Sequence, residues 1–178
     1  MARITLELLL PEDREQFILD NQRAFKYGAL KEFGERDSHF EEEGEIISRK
    51  TIENSIDNGV AYRICDDGKF VGGAVLTIDE KTHHNHLDLL FTLPEAHNRG
   101  IGSAAWREIE RLYPQTAVWE TYTPYFETRN IHFYVNVCGF HIVEFFNSHH
   151  PDPHDPETGE AETYEDSDGM FRFEKRMK

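Results

Sequence analysis

Residues Leu87 to Trp106 read LDLLFTLPEAHNRGIGSAAW: an apolar strand, a proline turn, a basic residue and two glycines one residue apart, then a helix. The helix is predicted over Gly100–Leu112 because apolar residues recur there at helical spacing, namely Ile101, Ala105, Ile109 and Leu112. Backbone N–H groups at a helix start opened by glycine form a site for an anion. The pattern therefore predicts that a phosphorylated ligand binds at Asn98–Ser103.

Strand and helix patterns on both sides of this stretch predict an α/β or α+β fold. Towards the N-terminus, a strand, two helices and three strands are expected at Ala2–Leu10, Pro11 to Ala29, Ile46–Asn58, Val60–Cys65, Phe70–Asp79 and His86–Leu93. Towards the C-terminus, a strand, a short helix and two strands are expected at Thr116–Tyr122, Asn130–Val137, Phe140–Phe146 and Met170–Arg176. The polar turns between the three middle strands predict an antiparallel meander. The acid-rich segments Phe33–Glu45 and Ser148–Gly169 are predicted as loops.

The composition narrows the class of protein. The chain has 178 residues, with 19 Lys and Arg against 34 Asp and Glu, and a formal net charge of −15. This length predicts one domain over residues 1–178 with an acidic surface loop at 149–169. The charge argues against binding to nucleic acid or to an anionic membrane. The sequence contains no long apolar run and no signal-peptide pattern, so a cytoplasmic location is expected. Cys65 and Cys138 are expected to be buried thiols, because their spacing fits neither a disulfide framework nor a zinc ribbon.

Three phosphate-binding patterns compete for the glycine segment. The P-loop sequence is absent, which removes the nucleoside triphosphate hydrolases that carry it. Gly100 to Ala105 fits the dinucleotide-binding pattern G-x-G-x-x-A, and Glu120 follows at about the expected distance. Against this second interpretation, Pro94–Arg99 separate the glycines from the strand, and few residues remain after Glu120 for further βα units. An NAD-binding domain is therefore the less favoured alternative.

The third pattern resembles motif A of the GNAT superfamily, the acyl-CoA-dependent N-acetyltransferases. Their signature, Gln/Arg-x-x-Gly-x-Gly/Ala after a strand and a Pro-acid turn, corresponds here to His97 through Gly102, with His97 in the first position. A second segment, Asn130 to Phe140, is similar to the family's Phe/Leu-Tyr-x-x-x-Gly-Phe with an upstream Asn, although Asn130 precedes Tyr134 by one helical turn instead of two. The resemblance implies a GNAT-like mixed, mostly antiparallel central sheet of six to seven strands, flanked by helices and splayed at the acetyl-CoA site.

The resemblance also implies how acetyl-CoA is held and used. The main chain of Leu90, Phe91 and Thr92 would pair with the pantetheine arm, and the Thr92 N–H would stabilise the oxyanion. Tyr134 matches the tyrosine that stands near the CoA sulfur and is the candidate acid for the departing thiolate. The full set expected to bind the cofactor is Leu90, Phe91, Thr92, His97, Asn98, Arg99, Gly100, Ile101, Gly102, Ser103, Asn130 and Tyr134.

Two residues are candidates for the general base. His86, Asp88, Leu90 and Thr92 share one face of the predicted strand, because strand side chains alternate. His86 stands six residues before Thr92, where some members of the family place a carboxylate base, and imidazole has a suitable ordinary pKa. A solvated turn histidine is the alternative for His86. Glu120, at the end of the next strand, is the second candidate and can act through water.

The acceptor is expected to be a primary amine of a small molecule or a peptide. The acids beside Phe40 in Glu35–Glu43 suit a cationic amine, although a solvated charge run explains them equally well. No cysteine or serine has the setting of a nucleophile, which favours direct attack through a ternary complex. The residues of His149–Asp155 lack the helical spacing of metal ligands, and no metal is expected. A homodimer is also compatible with the sequence. The alternative function is a non-catalytic module that binds or senses acetyl-CoA.

Overall fold

The computed structural model describes residues 3–34, 44–154 and 169–178. Most of the two predicted acidic loops, at 35–43 and 155–168, lies outside these residues, and so does the proposed acceptor segment Glu35–Glu43. By its internal contacts the chain divides into two compact units, Met1–Thr116 and Ala117–Lys178. Within the described residues, no helix is long and apolar enough to cross a membrane. The single acetyltransferase domain stays a prediction.

The order of the elements follows the predicted order. The first unit contains β1 Ile4–Leu8, a 3₁₀ turn at Pro11–Asp13, α1 Arg14–Phe33, α2 Arg49–Asn58, β2 Val60–Asp66, β3 Lys69–Thr77, β4 His84–Thr92, a 3₁₀ turn at Pro94–Ala96 and α3 Ile101–Leu112. The second unit contains β5 Val118–Pro124, α4 Thr128–His132, a π-helix at Phe133–Cys138, β6 His141–Phe146 and β7 Met170–Arg176.

Among the helix boundaries that differ from the prediction, two have clear local reasons. Helix α1 continues past Ala29 because Leu30, Lys31 and Glu32 are good helix formers, and it ends before Gly34, whose φ is 70°. Helix α2 begins at Arg49 instead of Ile46, because the side chain of Ser48 accepts a hydrogen bond from the Thr51 N–H and caps the helix there.

The first unit is a four-stranded antiparallel sheet with helices on both faces. Its strands lie in the order β1-β2-β3-β4, which confirms the predicted meander. Helices α1 and α2 cover one face, where Phe17 packs edge-on against Phe91 with the ring centroids 5.2 Å apart. Helix α3 covers the other face, where Ile101 packs in a cluster with Ile64. Leu112, which the sequence pattern placed on the apolar stripe of α3, is instead 48% exposed at the end of the helix.

A glycine permits the close approach of α1 to the sheet. Gly73 of β3 lies opposite Phe91 of β4. A Cβ atom at this position would collide with the rings of both Phe17 and Phe91. The aromatic pair therefore occupies the space that a side chain at position 73 would need. The same contact fixes the distance between α1 and the end of β4, the strand that leads into the glycine loop.

The second unit is a three-stranded antiparallel sheet in the order β5-β7-β6. Along β5 the side chains alternate, with Thr121 and Thr123 buried and Glu120 and Tyr122 half-buried. Thr121 lies opposite Phe173 of β7, so both belong to the buried face. Glu120 and Tyr122 belong to the other face.

The predicted helix Asn130–Val137 has two parts, α4 and the π-helix that follows it. Four residues separate Tyr134 from Gly139, one more than in the motif to which the segment was likened. A π-helix absorbs such an extra residue by forming wider turns. Lys175 Nζ donates to the Cys138 carbonyl at 2.7 Å, which places a cation at the C-terminal end of this helix.

Candidate active site

The loop between β4 and α3 has the backbone form that an anion site needs. Asn98 and Gly100 both have positive φ, 63° and 70°, and α3 begins at the next residue, Ile101. In a helix the first N–H groups have no acceptor within the helix, and the positive end of its dipole lies there. The amides of Ile101, Gly102 and Ser103 are in this position. This geometry agrees with the predicted phosphate site, whose ligand stays a prediction.

The side chain of His97 ties the loop back to the rest of the first unit. Its Nε2 lies 3.1 Å from the Thr92 carbonyl oxygen at the end of β4, and its ring lies edge-on to Tyr27 of α1 at 5.1 Å. One turn earlier on the same helix, Arg23 donates to Glu95 at 2.9 Å. Helix α1 thus holds the turn that precedes the glycines. The Nε2 atom of His97, which was expected to bind a phosphate, thus lies against the Thr92 carbonyl in this arrangement.

Arg99, a predicted phosphate ligand, has a partner that the sequence did not indicate. Its Nη2 donates to Asp66 Oδ2 at 2.6 Å, and the two side chains are 53% and 5% exposed. Asp66 is the last residue of β2, 33 positions earlier in the chain. A local sequence pattern carries no signal for a contact of this kind.

His86 belongs to a hydrogen-bonded chain on the half-buried face of β4. Its Nδ1 lies 2.5 Å from Asp88 Oδ1, and Asp88 Oδ2 accepts from the Thr77 hydroxyl at 2.7 Å. The expected alternation along β4 is confirmed, since Leu87, Leu89 and Phe91 are buried and the residues between them are not. When Nδ1–H donates to a carboxylate, Nε2 carries the lone pair of the neutral ring. His86 is therefore part of a hydrogen-bonded chain on β4 and is not a solvated turn residue, and its role as the base stays a prediction.

The register of β4 places Asp88 at an irregular position. Leu76 of β3 lies opposite Leu87, and Val75 lies opposite Leu89, so Asp88 is an extra residue in the pairing. A bulge of this kind bends the strand and redirects a side chain. The bulge lies between His86 and Leu90–Thr92, the part of β4 that is predicted to pair with the pantetheine arm.

Glu120 has a partner of the opposite kind. Arg172 Nη1 donates to Glu120 Oε2 at 3.0 Å and to Glu174 Oε1 at 2.7 Å, and Arg172 Nε donates to Glu144 Oε1 at 3.0 Å. Burial, followed by the charge of Glu120, raises the pKa of the neighbouring Tyr122 phenol. Three carboxylates thus share one guanidinium, and an oxygen of Glu120 is already engaged by a cation.

Tyr134 lies in an aromatic cluster on the other face of the second unit. It is 9% exposed, and its ring centroid lies 5.5 Å from that of Phe173 and 5.8 Å from that of Phe140. Burial raises the pKa of Tyr134 to about 12, against a smaller lowering by a hydrogen bond with Thr121. Because Thr121 and Glu120 are consecutive in β5, Tyr134 and Glu120 lie on opposite faces of this sheet.

The other predicted residues have modest contacts. Asn130 Nδ2 lies 3.4 Å from the Thr123 hydroxyl, the far limit of a hydrogen bond. His150 Nε2 lies 2.9 Å from Glu144 Oε2 and stacks on Phe146, while Asp155 lies outside the described residues. Over residues 3–34, 44–154 and 169–178, no group of His, Cys, Asp and Glu is arranged to hold a metal ion.

Both cysteines are buried and unbridged, as expected. Burial, followed by the nearby charge of Glu7, raises the pKa of the Cys65 thiol to about 11. At neutral pH this thiol is protonated and is not a nucleophile. Cys65 is therefore not a candidate nucleophile. Cys138 is 3% exposed at the end of the π-helix.

The fold and the loop agree with the comparisons to known proteins. The sequence profile of the acetyltransferase (GNAT) family matches residues 19–140. A Bacillus subtilis (strain 168) protein, the uncharacterized protein YrkN, is 46% identical over 99% of this chain and 95% of its own length.

Solved structures with the same fold include several acetyltransferases. An acetyltransferase from Thermus thermophilus has a TM-score of 0.68 at 12% identity, covering 99% of this chain and 100% of that one. The Escherichia coli ribosomal-protein-S18-alanine N-acetyltransferase has a TM-score of 0.64 at 13% identity, covering 97% and 92%. The PaiA N-acetyltransferase of Thermoplasma acidophilum, solved with coenzyme A, has a TM-score of 0.63 at 19% identity, covering 98% and 99%.

The expected fold class, a mixed sheet of seven strands flanked by helices, is confirmed by these likenesses, and the NAD-binding alternative is wrong. The splay of the sheet stays a prediction. The chain belongs to the GNAT family of acetyltransferases, and it is an acyltransferase whose co-substrate is acetyl-CoA.

Proposed function

We propose that the protein transfers the acetyl group of acetyl-CoA to a primary amine by direct attack in a ternary complex. The observation that carries this proposal is the chain from Thr77 through Asp88 to His86 on the half-buried face of β4. It provides an oriented base on the strand whose far end is expected to bind the pantetheine arm. An amine nucleophile needs such a base, because it must lose a proton on becoming an amide.

The loop before α3 would hold the phosphates. The amides of Ile101, Gly102 and Ser103 and the left-handed Gly100 present N–H groups without a bulky side chain between them. Arg99 adds a guanidinium at the same place. Bound acetyl-CoA supplies the acetyl group as an activated thioester. These residues serve binding, since none of them is needed to move a proton.

The position of His86 favours a particular oxyanion donor. An extended strand rises about 3.3 Å per residue, so Thr92 is about 20 Å and Leu90 about 13 Å along β4 from His86. Leu90 is thus the nearer of the two, and the bulge at Asp88 bends β4 between it and His86. With His86 as the base, we therefore place the donor to the acetyl oxygen at the backbone N–H near Leu90, in place of the Thr92 N–H expected earlier.

The proposed reaction balances without a cofactor beyond acetyl-CoA. The amine nitrogen forms a bond to the carbonyl carbon, and the carbon–sulfur bond breaks with its electron pair on sulfur. His86 accepts the amine proton through water, and the sulfur leaves as a thiolate. Tyr134, whose pKa is about 12, would keep its proton and donate a hydrogen bond to the thiolate. A thiol with an ordinary pKa of about 8.5 is too weak a base in its thiolate form to remove that proton.

The first experiment separates binding from turnover. Calorimetry measures the affinity for acetyl-CoA, with NAD(H) as the control ligand. A panel of primary amines is then added, and free thiol is followed. Binding of acetyl-CoA with thiol release for particular amines supports the proposal. Binding without release for any amine supports the sensing module instead.

A glycine variant locates the phosphate site. Gly102→Glu is expected to abolish acetyl-CoA binding, because its side chain and charge would occupy the place of the phosphates. Leu112→Glu is the matched control, since it adds the same carboxylate to an exposed position at the other end of α3. Normal affinity in Gly102→Glu, or equal loss in both variants, would contradict the assignment.

A further inference from the structure

Asp66 is a buried carboxylate directed at the start of the phosphate loop. It is the last residue of β2 and pairs in register with Ile4 of β1. It lies two residues beyond Ile64 on the same face of β2, and that face packs against Ile101 of α3. The Asp66 side chain, 5% exposed, therefore belongs to the layer between the sheet and α3.

Arg99 is the counter-charge of this carboxylate. Its Nη2 donates to Asp66 Oδ2 at 2.6 Å. The other oxygen, Oδ1, is buried and has no hydrogen-bond partner among the described residues. Removing the partner of a buried charge is strongly destabilising, so a pair of this kind persists once it is formed. Arg99 is thus fixed at one end by a group that cannot turn towards solvent.

The rest of Arg99 faces outward. Its side chain is 53% exposed, and it stands between two left-handed residues, Asn98 and Gly100, immediately before α3. A guanidinium has five N–H donors in a rigid plane. One N–H group of Arg99 donates to Asp66. The remaining N–H groups of the guanidinium can donate to an anion bound at the backbone amides that begin α3.

We propose that Asp66 is a positioning residue for the cofactor, which holds the Arg99 guanidinium in the orientation that meets a phosphate of CoA. This inference rests on the proposed function, since it assumes that CoA phosphates bind at this loop. The two charges of the pair largely cancel at a distance, so the contribution of Asp66 is orientation and not net attraction. An unrestrained arginine loses much rotamer freedom when it binds a ligand, whereas Arg99 has already lost it on folding.

The test compares CoA with pantetheine, the part of CoA that lacks its phosphates and its adenosine. Calorimetry measures the binding of CoA and of pantetheine, which lacks every phosphate, to the wild type, Asp66→Ala, Arg99→Gln and the double variant. We expect Asp66→Ala to bind CoA about tenfold more weakly, the loss of one oriented charged contact, with pantetheine binding unchanged. The double variant should bind CoA no more weakly than Arg99→Gln. Asp66→Asn, which retains an acceptor oxygen, should recover part of the loss.

Each contrary result has a distinct meaning. The proposal is wrong if Asp66→Ala binds CoA as tightly as the wild type or more tightly, or if pantetheine binding weakens by the same factor. Asp66→Ala opens a buried position, so its thermal unfolding is measured alongside. Should it fail to fold, the exposed Arg99→Gln decides, and unchanged CoA affinity there overturns the proposal. If the wild type itself binds no CoA, the proposed function fails and the role of Asp66 fails with it.

Discussion

The two candidate bases lie on comparable strands but have opposite partners. His86 of β4 lies against a carboxylate, Asp88, which in turn accepts from Thr77. Glu120 of β5 lies against a guanidinium, Arg172, which it shares with two further carboxylates. Both side chains are half-buried on one face of their sheet. The difference is therefore one of electrostatics and not of access.

The partner of a titratable group decides whether that group can exchange a proton or serves to hold its neighbour. A carboxylate stabilises the protonated imidazole that forms when histidine accepts a proton. A guanidinium stabilises the carboxylate as it is and opposes its protonation. His86, with a carboxylate as its partner, is therefore our proposed base. Glu120 instead forms an ion pair with Arg172 of β7, and Arg172 also pairs with Glu144 of β6.

The largest effect is expected for the removal of the imidazole. His86→Gln should lower kcat by about 10²- to 10⁴-fold, the usual contribution of a general base, with little change in the KM for acetyl-CoA. Steady-state kinetics with an accepted amine measures this. His84→Gln is the control, because His84 is an exposed histidine two residues earlier on β4. A loss of less than threefold in His86→Gln, or equal losses in both variants, would contradict the role of His86 as the base.

A smaller effect is expected for the phenol of the second unit. Tyr134→Phe should lower kcat about tenfold, the effect of losing one hydrogen bond to a developing charge. Because burial raises the pKa of Tyr134 to about 12, the phenol stays protonated up to pH 10. The pH–rate profile should consequently keep its shape between pH 6 and pH 10. A basic limb that disappears in the variant would show instead that Tyr134 titrates during turnover.

The smallest effect is expected for Glu120→Gln. Turnover should change by less than about threefold, because in this comparison Glu120 is a structural carboxylate. Arg172 would keep Glu144 and Glu174, and the lost pair is partly exposed, so the free energy of unfolding should fall by less than about 1 kcal/mol. Denaturant unfolding and kinetics on the same preparation measure both quantities. A drop in kcat as large as that of His86→Gln would reassign the base.

The fold was largely readable from local patterns. The meander β2-β3-β4 follows from short strands separated by turn residues, and α3 follows from the apolar spacing after Gly100. These signals are local, so a sequence carries them directly. The π-helix was not expected, because an apolar pattern over six residues does not distinguish a π-helix from an α-helix. Counting the four residues between Tyr134 and Gly139 against the motif would have given the signal.

The candidate site was readable in its backbone and less so in its side-chain partners. The glycine loop follows from residue spacing alone, and so does the shared strand face of His86 and Asp88. The contact between these two side chains is local, because they are neighbours on that face. The pairs of Arg99 with Asp66 and of Glu120 with Arg172 join residues 33 and 52 positions apart. Such contacts depend on how strands and loops are brought together, which spacing does not encode.

The glycines of β3 restrict how the enzyme can be altered. Side chains at positions 72 and 73 would meet the Phe91 carbonyl and the rings of Phe17 and Phe91, respectively. The position of β4, which is predicted to pair with the pantetheine arm, therefore depends on the absence of Cβ atoms at these two positions of β3. Neither glycine is itself expected to contact a substrate. In a library that varies every position and selects for activity, both should tolerate almost no replacement. Attempts to change the accepted amine are better directed elsewhere.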